Sequence, residues 1–239
     1  MPEEFITISE TAEILGVSID TLRRWDKSGK LKPAKTSKAG YRLYYKSQVE
    51  LFMNDIFSLA RDWVLKNTEM PSQFYCSSSA VFQTRLIQMQ DLLMGVPELN
   101  QIFPLIVAIA GEIGNNSYDH NLGNWPDIPG IFFGYDIHKK NIVLADRGLG
   151  ILATLKRVKP TLNTDEEALR VAFTEVISGR SPESRGNGLK FVRKVVLENP
   201  IGLIFRTGDA ELILAKDSNE LNIRSSSEPF RGCLALITF

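Results

Sequence analysis

The alternation of hydrophobic and polar positions changes period several times along the chain, and each change marks an element. Thr7-Ile-Ser-Glu10 reads as a capping box ahead of a short helix, Ser9 to Leu15, with Ala12 and Leu15 among its apolar positions. Gly16 stops that helix, and Ser18 can cap a second one from about Ile19 to Lys27. After Gly29-Lys-Leu-Lys-Pro33, a polar stretch ending in Gly40-Tyr-Arg-Leu-Tyr44 alternates like a hairpin. From Ser47 to Lys66 the residues Val49, Phe52, Met53, Ile56, Phe57, Ala60 and Val64 keep a helical period. Asn67 to Ser72 then reads as a linker. The pattern predicts a small domain over 1–52, a connecting helix and linker over 53–72, and a larger domain over 73–239.

Within the larger domain, residues 73–77 suggest a short strand. Residues 79–94 predict a helix with Val81, Phe82, Leu86, Met89 and Leu93 as its buried stripe. Pro97-Glu98 opens a long apolar helix that ends in polar residues near His120. A turn rich in Gly, Asn and Pro (Asn121 to Pro129) leads to two strand-like runs, Gly130 to Asp136 and Asn141 to Ala145. Thr164-Asp-Glu-Glu167 is a second capping box, heading a helix marked by Leu169, Ala172, Phe173, Val176 and Ile177. A helix over Leu189 to Leu197 and a last strand over Gly232 to Phe239 complete the chain.

Composition narrows the classes. Hydrophobic residues at 44% with 23% charged describe an ordinary globular chain. The apolar stretch Ile102 to Ala110 is interrupted by Pro104 and is too short to span a bilayer. The acidic start Met1-Pro-Glu-Glu has no signal-peptide pattern. Cys76 and Cys233 have no metal-ligand spacing, which leads us to expect reduced thiols, acting as small buried hydrophobes, in a cytoplasmic protein. The net charge of zero hides a block over residues 21–46, where nine Lys/Arg face Asp26 alone for a net of +8. Such a block fits a module that binds a polyanion, or a solvated basic surface.

The chemistry of the first domain follows from that block. Two short helices around a Gly-containing turn are the sequence form of a helix-turn-helix, with Thr21, Arg23 and Arg24 on the second helix. The "LGVS" turn, the "TLRRWDKSGKL" helix and the "GYRLY" wing, over about residues 5–52, resemble the winged helix-turn-helix of MerR-type regulators and excisionases. The resemblance implies double-stranded DNA as partner. Thr21, Arg23 and Arg24 would be groove or phosphate contacts, and Tyr41 and Arg42 backbone contacts. Trp25, which shares a face with Leu22, is expected to pack the small core. Some such domains bind protein instead. MerR relatives dimerise through a helix after the wing, which implies a homodimer here.

The second domain carries three polar motifs. Glu112, Asn116, Asp119 and His120 fall at i, i+4, i+7 and i+8, stacking two carboxylates, a carboxamide and an imidazole along a helix. Alone, this could be an amphipathic helix meeting solvent. Asp146-Arg-Gly-Leu-Gly-Ile151 follows a strand, placing a carboxylate beside backbone that a ligand can approach closely. Gly186-Asn-Gly188-Leu189 opens a helix, where unpaired N–H groups and the positive dipole end suit phosphate.

In this order and spacing the three motifs resemble the ATP-binding fold shared by gyrase-type topoisomerases, a heat-shock chaperone family, histidine kinases and MutL (the GHKL group), over roughly residues 73–239. The fold class expected is therefore α+β: a winged helix-turn-helix, then a two-layer α/β sandwich of Bergerat type with a mixed sheet covered by helices. The resemblance implies ATP and Mg²⁺ as cofactors. Asn116 would coordinate Mg²⁺ and Glu112 would polarise water as general base. Asp146 would accept the adenine amino group, with Gly148, Gly150 and Ile151 shaping that pocket. Gly186, Asn187, Gly188 and Leu189 would meet the phosphates. Asp119 and His120 match further polar positions. Residues 152–184 would form a lid. Ser184 and Asn187 depart from the common pattern, at a first glycine and a leucine respectively.

These readings together point to a DNA-binding transcriptional regulator controlled by ATP. An anti-sigma-type Ser/Thr kinase or an ATPase subunit of a DNA-processing or mobile-element system are the other classes. His120 and His138 are the only histidines, and neither precedes the nucleotide domain on a helical hairpin, which argues against histidine autophosphorylation.

Overall fold

The computed structural model describes residues 4–15, 17–28, 31–37, 40–53, 56–66, 70, 72–175, 188–218 and 220–239. The chain divides into two compact units, Met1–Leu59 and Ala60–Phe239. The division falls inside the segment 53–72 assigned from sequence to a connecting helix and linker.

The first unit comprises β1 (Phe5–Thr7), α1 (Ile8–Leu15), α2 (Ile19–Ser28), β2 (Lys35–Thr36), β3 (Arg42–Tyr45) and α3 (Lys46–Met53). The capping box forms reciprocally: the Thr7 N–H donates to Glu10 Oε2 at 2.7 Å and the Glu10 N–H to Thr7 Oγ1 at 3.3 Å. Ser18 Oγ accepts from the Thr21 N–H at 3.1 Å and starts α2. Gly40, with φ +83°, lets the chain reverse between β2 and β3. The three strands lie in the order β1-β3-β2, both pairs antiparallel. Ile6, Ala12, Leu22, Leu31, Tyr44 and Val49 form the core, with Trp25 packed against it as expected. Strand β1 had no sequence signal, because Phe-Ile-Thr is too short to display a period. The helical run 47–66 is found as α3 and α4 (Ile56–Lys66), with Asn54 and Asp55 outside the described residues.

The second unit holds β4 (Tyr75–Cys76), α5 (Ser79–Met94), a 3-10 turn (Pro97–Leu99), α6 (Phe103–Asn121), β5 (Ile131–Asp136) and β6 (Asn141–Asp146). It continues with α7 (Gly150–Leu155), α8 (Asp165–Thr174), α9 (Gly188–Glu198), β7 (Gly202–Leu214) and β8 (Asn222–Thr238). The sheet order is β4-β5-β6-β8-β7. Every pair is antiparallel, which corrects the mixed sheet expected from sequence. The reason lies in the connections: β5–β6 and β7–β8 are joined by short turns, which only antiparallel neighbours allow. The passage from β6 through α7, α8 and α9 brings β7 to the edge, and β8 returns between them.

Helix α6 starts at Phe103 rather than at Pro97, with Pro104 in its first turn where a missing N–H costs nothing. The second capping box forms at Thr164 and Glu167. Phe82, Leu86, Met89 and Leu93 of α5 are buried with Ile106, Ile109 and Ile113 of α6 in one cluster. Leu169 and Phe173 of α8 and Val192 and Val196 of α9 join them against Phe133, Leu144, Phe205 and Ala235 of the sheet. Phe132, Val143, Ala145 and Leu234 are also buried but lie outside that cluster, so the opposite sheet face is covered as well. Ala60 and Trp63 of α4 are buried, and Arg61 reaches Glu228 of β8.

Candidate functional site

The polar face of α6 opens on a cavity of about 110 Å³. Glu112, Asn116 and His120 line it, with Ile113, Ser117 and Asn121 beside them. Its other walls are Asp146 at the end of β6, Gly150, Ile151, Thr154 and Leu155 of α7, Ala172 of α8, Gly188 and Leu189 opening α9, Phe205 of β7 and Cys233 of β8. Segments separated by tens of residues thus converge on one space.

At its base Asp146 is 2% exposed. Its Oδ2 accepts from Ser117 Oγ at 2.8 Å, and its Oδ1 from the Gly148 N–H at 2.8 Å. Burial pushes its pKa up to about 6, against the opposing pull of those hydrogen bonds and of the Cys233 N–H. The carboxylate is therefore held where water is scarce and gains from any further donor.

The frame around Asp146 is tied by small residues and amides. Asn121 Oδ1 accepts from the Leu149 N–H and its Nδ2 donates to the Ser117 carbonyl, both at 2.8 Å, fixing the end of α6 to the loop after β6. The Asn121 amide occupies the space where Gly148 would carry a side chain. Gly150 turns the chain at φ +78°. Thr207 Oγ1 then accepts from the Ile151 N–H at 3.2 Å and donates to the Gly232 carbonyl at 2.9 Å. The Glu112 carboxylate rests against the Cα of Gly188, so α6 and the start of α9 approach where only glycine fits.

Of the residues singled out from sequence, Glu112, Asn116, Asp146, Gly150, Ile151, Gly188 and Leu189 line the cavity. Gly148 supports it through the Asp146 hydrogen bond without lining it. Asp119 is exposed and outside the lining, because it precedes His120 by about 100° around the helix. Gly186 and Asn187 lie outside the described residues. The lid expectation over 152–184 needs correcting in its first part: α7 and α8 are built into the fold, with Leu169 and Phe173 in the main core. Residues 176–184, including Val176 and Ile177, lie outside the described residues. Ser117, Asn121, Thr207 and Cys233 were missed. Ser117 and Asn121 were legible as i+4 and i+8 from Ile113, beside the Glu112 face, whereas Thr207 and Cys233 arrive only through strand pairing.

In the first unit, Arg23 and Arg24 are exposed on α2. Arg23 Nη1 contacts Asp20 Oδ1 at 2.8 Å and Arg24 Nη2 contacts Thr21 Oγ1 at 3.1 Å. Tyr41 is 65% exposed on the wing. Arg42 is half-buried and its Nε donates to Asp26 Oδ2 at 2.8 Å, fastening the wing to α2. The Asp26–Arg42 pair had no sequence signal.

Residues 7–44 match the family described as MerR family regulatory protein. The first unit is a MerR-like helix-turn-helix, the module of a DNA-binding regulator. The chain is also similar to the Type II methyltransferase M.Eco47II of Escherichia coli, 44% identical over 63 residues. That likeness covers 26% of this chain and 15% of the methyltransferase. No helix among the described residues is long and apolar enough to cross a membrane.

Proposed function

We propose that this chain is a transcriptional regulator whose second unit takes Mg-ATP in the cavity at α6 and thereby controls DNA binding or a homodimer arrangement. The observation that carries the reading is the convergence of three separate motifs on one cavity with a buried, ionisable carboxylate at its base. The walls suit the ligand. Ile113, Ile151, Leu155 and Phe205 offer apolar surface to a flat base, and Asp146 offers an acceptor to its amino group. Asn116 supplies the hard oxygen that Mg²⁺ takes alongside water and phosphate. Gly188 and Leu189, with Gly186 and Asn187 preceding them, would present N–H groups to the phosphates. Glu112 stands one turn from Asn116, where it can orient a water by hydrogen bonding. Bound Mg²⁺ would neutralise phosphate charge and polarise the terminal phosphoryl group. Thr21, Arg23, Arg24 and Tyr41 would meet DNA, with Arg42 holding the wing.

Calorimetric titration of ATP, with and without Mg²⁺, tests the cavity. Wild type is expected to bind. Asp146→Asn should lose about tenfold or more, since an acceptor to the base is replaced by a mixed amide. Asn116→Ala should lose the Mg²⁺ dependence. Mobility shifts of a DNA fragment with the same proteins, with and without nucleotide, test the control. Wild type without measurable affinity for any adenine nucleotide would remove the reading. Radiolabel passing from ATP to a partner protein would favour the kinase class. Steady turnover on DNA would favour a DNA-processing ATPase.

A further inference from the structure

Asp146 faces the cavity at the end of β6, and the next residue, Arg147, is outside the lining. There its side chain is 9% exposed, and its guanidinium lies 5.7 Å from the ring centroid of the buried Trp63 on α4. The same guanidinium donates to Asp127, in the segment that follows α6. Asp127 Oδ2 also accepts from Arg231 at 2.7 Å. Arg231 directly precedes Gly232 and Cys233, which border the base of the cavity through the Thr207 hydrogen bond and the Asp146 pairing. One carboxylate, in the segment after α6, thus ties the residue after β6 to the middle of β8. One of its two arginines is capped by a tryptophan of the helix whose first residues, Ile56–Leu59, belong to the other unit.

We infer that Arg147, held by Asp127, is the relay through which occupancy of the cavity is registered on α4 at Trp63. The inference rests on the nucleotide reading above. Asp146 Oδ1 accepts from the Gly148 N–H at 2.8 Å, closing a ring of backbone around Arg147, so a ligand donor that re-centres the carboxylate pulls on the Arg147 backbone. A guanidinium buried between a carboxylate and an aromatic face cannot follow without changing one of the two contacts, because the packing there leaves no slack. Coupling of this kind is reciprocal: a state of α4 favoured by DNA would alter nucleotide affinity by the same factor.

Trp63 is its own reporter. The chain has three tryptophans, and Trp25→Phe with Trp125→Phe leaves Trp63 alone while keeping an aromatic ring at each site. Titrating this full-length double variant with Mg-ATP should change Trp63 emission, saturating at the Kd found by calorimetry. In that background Arg147→Lys keeps a charge opposite Asp127 but loses the planar group over the ring. It should bind nucleotide within about threefold of its parent, yet lose the emission change and the nucleotide dependence of DNA affinity. Asp127→Asn should do the same. Nucleotide bound with Trp63 silent in the parent overturns the relay and leaves the cavity reading standing. No nucleotide binding overturns both. An emission change that survives Arg147→Lys assigns Arg147 to a structural staple, which would lower the unfolding midpoint but not the response.

Discussion

Asp146 concentrates the chemistry of the second unit in one carboxyl group. Its pKa in the folded chain, about 6, lies above the value near 3.8 of an exposed aspartate. A group shifted in this direction favours folding while it is protonated and loses that contribution as pH rises through the folded value. Between about pH 4 and pH 7 wild type should therefore lose on the order of 3 kcal/mol relative to Asp146→Asn. Urea unfolding of both proteins across that range measures it, and a constant difference would mean that Asp146 stays ionised. A ligand donor at Asp146 offsets the loss, so the thermal shift with nucleotide should be larger at pH 7.5 than at pH 5. The residue types of the cavity were largely readable from sequence, because Glu112, Asn116 and Asp146 sit in short motifs with fixed spacing. Thr207 and Cys233 were not readable, because their position depends on the register of β7 and β8 rather than on any local pattern. Arg42 shows the converse: its type suggested DNA, while its environment gives it Asp26 as partner.

Between elements, α5 and α6 approach closely where the Phe82 ring fills the space that a side chain at Gly114 would occupy. Gly114→Ala must push ring or helix aside, and overpacking of this kind costs about 1–3 kcal/mol. Chemical denaturation should show that loss. Nucleotide affinity of the folded variant should be unchanged, since Gly114 does not line the cavity. A loss of affinity without a loss of stability would mean that α6 is positioned differently. Helices with a strong apolar stripe were legible almost to the residue, as α5 and α9 illustrate. Strand β7 was not, because Arg206, Gly208 and Asp209 interrupt its alternation where the ladder shifts register at Thr207 and Gly208. Strand direction was also hidden: motif order says which elements meet, and the loops decide how they run.

At the scale of the molecule, the basic block and the acidic first twenty residues both fall in the first unit, and the cavity falls in the second. That separation is what let the two sets of motifs be read apart in one chain. The boundary was harder to see, since the apolar period of 47–66 runs across it and α4 supplies buried residues beyond it. The two cysteines, described above only as wall and filling, gain a use from their places in the sheet. Burial pushes both thiols up, Cys233 strongly, so little of either is thiolate at neutral pH, although Cys233 is only half-buried on the cavity wall while Cys76 is fully buried. Cys76 lies on a two-residue strand at the edge, and Cys233 on a strand with a neighbour on each side. Alkylation followed by mass spectrometry should therefore keep two times: one at Cys76 for fraying of the edge, and one at Cys233 for access through the cavity, which a bound ligand would lengthen.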